Sequence, residues 1–204
     1  MATYENIIFD LGGVLLNIDY HKTSKAFENF GIHNFDELFS QFKANELFER
    51  LETGNISEED FYTSIQQYSN LSLTINEIKT AWNAMLLNFR VDSIKFLNTI
   101  SSKYNLYLLS NTNSIHHRAF IEIYKKEVGE PALDSYFKKS YYSHLIGKRK
   151  PHLETYRFVL NDSNLKAGET LFIDDSINNI EAAKETGLKT HHLLAWERIE
   201  TLGL

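Results

Sequence analysis

Four places along this chain carry side chains whose types suit shared chemistry. Asp10 follows the apolar run Ile7-Ile8-Phe9 and precedes Leu11 and the pair Gly12-Gly13. Ser110 closes Leu106-Tyr107-Leu108-Leu109, and Asp174-Asp175 closes Thr170-Leu171-Phe172-Ile173. Lys150 stands in the basic turn Gly147-Lys148-Arg149-Lys150-Pro151. Carboxylates brought together repel one another unless a cation sits among them, and Mg²⁺, a hard ion that prefers oxygen ligands and keeps waters, is the natural choice. A lysine and a serine hydroxyl beside that ion make a site for a dianion, so phosphate is the expected guest. Asp10 is then the candidate nucleophile for an aspartyl-phosphate. Taken singly, each residue has a plainer reading: a strand-end Asp bonding its turn, a serine in a turn, a solvated lysine, acids complementing a helix dipole.

The elements that must position these residues follow from the pattern of apolar runs. Short apolar runs bounded by turn residues suit strands buried in a parallel sheet. The runs before Asp10, Ser110 and Asp174 qualify, with Phe137 to Tyr142 and His191 to Leu194 as further strands. Helices are predicted with Ile94, Leu97 and Ile100 inward, from about Ser114 to Lys126, with Leu153, Tyr156 and Leu160 on one face, and with Ile177, Ile180 and Ala183 inward before Gly187. Strands alternating with helices imply an α/β, Rossmann-like parallel sheet with helices on both faces. In such a sheet the carboxyl ends of the strands share one edge, where ligands bind.

Between Asp19 and Phe89 the texture differs, with no strand-like runs and a succession of helical patterns. Phe27, Phe30 and Ile32 mark one. Phe35, Leu38, Phe39 and Phe42 mark the next, which continues through Leu47, Phe48 and Leu51 to a break at Thr53-Gly54-Asn55. Ser57 before Glu58, Glu59 and Asp60 reads as an N-cap with acids in the first turn. A last helix is expected over Thr74 to Leu87, carrying Ile78, Trp82, Met85 and Leu86. The division expected is therefore a core of residues 1–17 and 90–204 with an α-helical bundle, residues 18–89, inserted as a cap.

With 204 residues, 43% of them hydrophobic and 24% charged, the chain suits one such domain with an insertion. Its 21 basic and 27 acidic residues give a net charge of −6, which does not favour nonspecific nucleic-acid binding. The absence of cysteine excludes disulfides, thiol catalysis and Cys-ligated zinc, and fits the cytoplasm. No signal peptide and no membrane span are expected, and nothing marks a dimer surface.

From Ile7 to about Leu194 the pattern resembles the haloacid dehalogenase-like hydrolase superfamily, in the branch with a helical cap after the first strand. The resemblance implies that Asp10 is the nucleophile, Ser110 the phosphate-binding Ser/Thr and Lys150, before Pro151, the charge-neutralising lysine. It implies that Mg²⁺ is held by Asp10, the backbone carbonyl of Gly12 and the acidic motif Asp174-Asp175, chiefly Asp175. Asn111 would offer a backbone N–H to the phosphate. The cap matches more loosely, through Glu52-Thr53-Gly54-Asn55-Ile56-Ser57 and Phe61. Within the superfamily the run Ser110-Asn111-Thr112-Asn113, with His116 soon after and the Arg149-Lys150-Pro151 turn, is similar to phosphatases of small sugar phosphates such as α-glucose-1-phosphate. That makes Asn113 and His116 candidate substrate contacts and a small phosphorylated metabolite the expected substrate.

One position departs from the family's Asp-x-Asp phosphatase pattern: Gly12 stands where the second acid protonates the leaving oxygen and later activates water. General acid–base help is worth roughly 10²- to 10⁴-fold. Either the substrate departs easily, as an anomeric hydroxyl does, or Asp19, His21 or His116 fills the role. Two other readings stay open. A catalytically impaired relative would bind a phosphorylated ligand without turnover. A 2-haloacid dehalogenase would use a similar aspartate on carbon, but without a metal it has no use for an acid pair facing Asp10.

Overall fold

The computed structural model describes residues 4–33, 35, 39–40, 43–44, 46–69 and 71–204. Five strands form one parallel sheet: β1 (Asn6–Phe9), β6 (Asn105–Ser110), β7 (Lys139–Tyr142), β8 (Thr170–Asp174) and β9 (Lys189–His192), in the order β7-β6-β1-β8-β9. The β1 strand lies at the centre, pairing Ile7 with Leu106 on one side and with Leu171 on the other. Successive residues point to opposite faces, so each strand feeds two cores. Ile7, Phe9, Leu108 and Ile173 pack on one face against α5 (Val91–Ile100) and α6 (Ser114–Glu127), through Ile94, Leu97, Phe120 and Tyr124. Ile8, Leu109 and Phe172 pack on the other against α8 (Leu153–Asp162) and α9 (Ile177–Glu185), through Tyr156, Val159, Ile180 and Ala183. The result is the expected Rossmann-like α/β layer arrangement, helices covering both faces of a parallel sheet.

Residues between the first two apolar runs and the main α/β alternation build a second core. Helices α1 (Tyr20–Asn29), α2 (Glu46–Glu52), α3 (Glu58–Ser69) and α4 (Ile75–Asn83) enclose Phe27, Phe35, Phe48, Phe61, Ile78 and Trp82. The start of α3 is capped as expected: the Asp60 N–H donates to Ser57 Oγ at 3.0 Å and the Ser57 N–H to Asp60 Oδ2. Thr74 and Glu77 make a capping box at the start of α4. Gly54 breaks the chain after α2 with φ +69°.

Several expectations are corrected. The helix foreseen over Thr74 to Leu87 stops at Asn83, and β5 (Leu86–Phe89) pairs antiparallel with β2 (Leu16–Ile18), Leu16 opposite Phe89 and Ile18 opposite Leu86. A short apolar run such as Leu86-Leu87 fits a helix or a strand equally, and pairing across the insertion decided it. Phe39–Ser40 and Lys43–Ala44 form a small antiparallel pair (β3 and β4) where a helix was foreseen; Leu38 and Phe42 lie outside the described residues. The strand foreseen from Phe137 begins at Lys139, after a 3₁₀ turn at Leu133–Tyr136. Ile180 and Ala183 face inward, but Ile177, in the first turn of α9, is exposed. No helix among the described residues is long and apolar enough to cross a membrane.

Candidate active site

Asp10, Ser110 and Asp174 stand at the carboxyl ends of three neighbouring strands, β1, β6 and β8, so the sheet itself brings them to one edge. The Asp10 N–H donates to the Ile173 carbonyl at 2.9 Å, which extends the β1–β8 ladder one step and fixes where the Asp10 side chain starts. Lys150 completes the group. Its ammonium lies 2.8 Å from Asp10 Oδ1 and 2.7 Å from Asp174 Oδ2, at 1% exposure. A lysine is found that deep only when paired.

The turn that delivers Lys150 is held by Asn111. Asn111 Nδ2 donates to the Lys150 carbonyl at 2.8 Å, and the Lys150 N–H donates back to Asn111 Oδ1 at 2.9 Å. The Asn111 side chain is thereby committed to positioning Lys150. Next to it, the Thr112 N–H donates to Ser143 Oγ at 2.9 Å and Ser143 Oγ donates to the Thr112 carbonyl, pinning the loop after Ser110.

Asp174 is fully engaged. Its Oδ1 accepts from the Ser176 N–H at 2.8 Å, and Asn179 Nδ2 donates to both oxygens at 3.0 Å. Asp175 is the less committed acid of the pair, and it lies against Gly13. Gly13 has φ +70°, and a Cβ there would sit 2.0 Å from Asp175 Oδ2. Only glycine serves at this position, for its backbone angle and for the space Asp175 takes.

Among the described residues, Asp10, Asp174 and Asp175 are the one set of acids able to hold a metal together, with ligand oxygens all within 4.8 Å. Their ionisation records the crowding. Burial pushes Asp10 up to about 8; Lys150 pulls it down, and Asp174 and Asp175 push it up further. Asp175 rises to about 6, through burial first and then the Asp174 charge. Burial works to strip the Lys150 proton, but Asp10 and Asp174 outweigh it and hold the ammonium above its ordinary value. Hard oxygen donors with excess negative charge suit a divalent cation such as Mg²⁺.

These residues open onto a cleft of about 170 Å³, lined also by Ser110, Asn111, His116, Tyr20, Glu52 and Arg149, with an apolar wall of Leu16, Ile18, Met85, Leu86 and Phe120. His116 lies within it but buried. Burial drives its imidazole down to about 3, so the ring is neutral. It stacks on Trp82 at 4.8 Å, and its Nδ1–H donates to Asn83 Oδ1 at 2.9 Å. Nε2 is left with its lone pair, some accessible surface and no partner among the described residues.

Asn113 does not join the cleft. It is fully buried and caps α6, Oδ1 accepting from the N–H groups of Ile115 and His116 at 3.1 and 3.0 Å. An asparagine two residues past a strand end suits ligand or cap equally, and here the helix takes it. Asp19 likewise caps α1 through the His21 N–H, and neither Asp19 nor His21 lines the cleft.

A family model described as haloacid dehalogenase-like hydrolase matches residues 4–187. The chain belongs to the haloacid dehalogenase-like hydrolases. A D-ribitol-5-phosphate phosphatase of Bacteroides thetaiotaomicron is 32% identical over 91% of this chain and 90% of its own. A sesquiterpene phosphatase of Aspergillus oryzae is 27% identical over 94% of this chain and 91% of its own. The solved structure of a HAD family enzyme from B. thetaiotaomicron, an alanine variant in complex with magnesium and inorganic phosphate, superposes with a TM-score of 0.92 at 31% identity, covering 98% of both chains. The likeness to α-glucose-1-phosphate phosphatases rests on the sequence run alone; the HAD relatives named here bear other substrates in their names.

Sequence reasoning named Glu52 and Arg149 only within family-like motifs, without a role in the cleft, and missed Asn179, Ser143 and Tyr20. None stands at a spacing that marks it, because the tertiary packing of α9, α7 (Ser143–Ile146), α1 and α2 delivers them. Gly13→Ala tests the tightest of these contacts. It should displace the Asp175 carboxylate and lower Mg²⁺ affinity by at least roughly 10-fold, the scale at which disturbed metal shells respond. Titration with Mg²⁺ by calorimetry measures this, and unchanged affinity would remove Asp175 from the ligand set.

Proposed function

We propose that this HAD-family phosphatase hydrolyses monoesters of small phosphorylated sugars or sugar alcohols through an aspartyl-phosphate on Asp10. The observation that carries the reading is the buried Lys150, held between Asp10 and Asp174 beside Ser110 at one strand-end cleft. A lysine neutralising a would-be nucleophile suits an attack on a dianion, which a bare carboxylate would repel.

Asp10, the Gly12 carbonyl and Asp175, with Asp174 behind it, would hold Mg²⁺. When bound, that ion neutralises charge on the phosphoryl oxygens and fixes their orientation. Asp10 attacks in line. Ser110 and the Asn111 N–H donate to the phosphoryl oxygens, and Lys150 balances charge as the bond to the leaving oxygen breaks. Residues 18–89 act as a cap over this edge, excluding water and selecting the leaving group. The cap is joined to the core by Glu58, which pairs with Arg118 and accepts from Ser114 Oγ at 2.6 Å.

The small-polyol reading is supported by the polar end of the cleft. His116, neutral and with Nε2 bare, is an acceptor for a substrate hydroxyl. The similarity to a D-ribitol-5-phosphate phosphatase supports the same class. An open-chain polyol leaves as a primary alkoxide, a poor leaving group, so an anomeric substrate is no longer the favoured account of Gly12.

The test is phosphate release from polyol 5-phosphates, hexose 1-phosphates and p-nitrophenyl phosphate, with Mg²⁺ and with EDTA. Turnover that EDTA abolishes and Mg²⁺ restores, strongest on the sugar and polyol esters, is expected. Tight binding without release would instead indicate a phosphate-binding relic. Halide release from 2-haloacids that survives EDTA would indicate a dehalogenase.

A further inference from the structure

Gly12 leaves this reaction without the acid that protonates the leaving oxygen. A Cβ on Gly12 would meet Ile18 Cδ1 at 3.1 Å, with two further Ile18 atoms within 4 Å. Ile18 flanks the spot, with no acid in place of the missing side chain. The proton must come from elsewhere in the cleft.

Few groups lining it carry one. Asp10, Asp175 and Lys150 are committed, and Arg149 does not give up its proton near neutral pH. His116 is neutral with Nε2 bare, so it has no proton to offer on that side. Tyr20 is held protonated by burial and by the charges of Asp175, Glu52 and Asp10, well beyond a useful range. Asp19 and His21 lie outside the cleft. Glu52 remains.

We propose that Glu52, the last residue of α2 in the cap, is the general acid and base of this phosphatase. This deepens the reading above and rests on it. The Glu52 carboxyl enters the cleft from the cap side and meets Arg149, the residue before Lys150. Glu52 Oε2 and Arg149 Nε lie 2.9 Å apart as an ion pair, yet neither buried atom completes an aligned hydrogen bond, so each keeps capacity for a further partner. A substrate's bridging oxygen or hydroxyl meets that need. The groups facing Glu52 are Arg149 and Lys150, which favour its ionised form, and Glu49 and the Tyr20 hydroxyl. Burial outweighs them and raises the carboxyl above the ordinary range. An arriving phosphate dianion raises it further.

The step balances. As the Asp10–phosphorus bond forms and the phosphorus–oxygen bond to the substrate breaks, the Glu52 carboxylic acid gives its proton to the departing oxygen, releasing the alcohol. A water then attacks phosphorus and passes a proton to the Glu52 carboxylate. The Asp10–phosphate bond breaks, releasing phosphate and restoring both residues.

The experiment compares Glu52→Gln with wild type on a polyol 5-phosphate and on p-nitrophenyl phosphate, whose leaving group needs no proton. The expected result is a fall in kcat/KM, which reads the transfer to Asp10, of roughly 10²- to 10⁴-fold on the polyol ester and less than about threefold on the nitrophenyl ester, the mark of lost general acid catalysis, with kcat falling on both because hydrolysis of the aspartyl-phosphate is common to them. Equal losses of kcat/KM on both substrates would make Glu52 a mere clasp between cap and core and overturn the proposal, as would no loss on either. Glu52→Asp, which keeps the acid but shortens its reach, should show the same substrate contrast in smaller measure if Glu52→Gln folds poorly. Wild-type turnover that disappears in Asp10→Asn reads the phosphatase assignment separately, and a wild type inactive on both esters defeats both.

Discussion

Asp10→Asn should lose phosphatase turnover by roughly 10⁴-fold or more, the scale of removing a nucleophile that acts in concert with its neighbours. The fold should not suffer. Asn matches Asp in shape, and burial makes Asp10 costly to ionise in the metal-free protein. Its folded-state pKa of about 8 lies above the ordinary value of 3.8, chiefly through burial. A carboxyl raised on folding contributes stability that is fully present below the unfolded value and is lost as pH rises through the folded one. Metal-free wild type should therefore lose thermal stability between about pH 4 and pH 8. Asp10→Asn, with nothing to titrate at that position, should lose less. Thermal melts in EDTA at pH 5 and pH 8 measure the difference. Parallel pH slopes in the two proteins would show that Asp10 is not the group responsible.

Lys150→Met has the largest expected effect on stability. Methionine fills the space of the lysine stem but leaves Asp10 and Asp174 facing each other without the ammonium 2.8 and 2.7 Å away. Removing one partner of a buried ion pair typically costs about 3–5 kcal/mol. In a protein of this size that is a fall in Tm on the order of 10 °C. The loss should shrink at pH 5, where the stranded acids take up protons. Mg²⁺ should restore part of it but little of the activity, since charge on the phosphoryl group would still be unbalanced. A Tm within a degree or two of wild type at pH 8 would show that water or rearrangement serves as well as the lysine.

What was legible in the sequence was the local chemistry of strand ends. Ile7-Ile8-Phe9-Asp10 and Leu171-Phe172-Ile173-Asp174 each couple an apolar run to an acid, and a parallel sheet aligns such ends without further information. Lys150 was legible from its turn, although not that Asn111 would brace it. Asn113 could not be separated from Asn111 by residue type, because an asparagine after a strand serves a ligand or a helix start alike. Glu52 was named in the run Glu52-Thr53-Gly54-Asn55, but its role was out of reach for a different reason. Its place in the cleft depends on α2 packing against the Arg149 turn, and no periodicity records a contact between residues that far apart. The Leu86–Phe89 strand was hidden because its apolar run is short enough to satisfy either a helix or a ladder.

That strand carries a consequence for how the chain closes on itself. To pair β1 with β6, the chain must close a loop that contains every inserted helix. Loop closure grows only with the logarithm of length, about 0.6 kcal/mol per doubling. The ribbon of Leu16–Ile18 against Leu86–Phe89 takes that cost on itself, because it joins the two ends of the insertion beside each other. Once the ribbon forms, the central strand experiences a short connection whatever lies beyond it. Insertions of different length and shape at this point should leave the folding of the sheet almost undisturbed, so substrate preference can be altered there while Asp10, Ser110, Lys150 and the acid pair stay in place on the sheet edge.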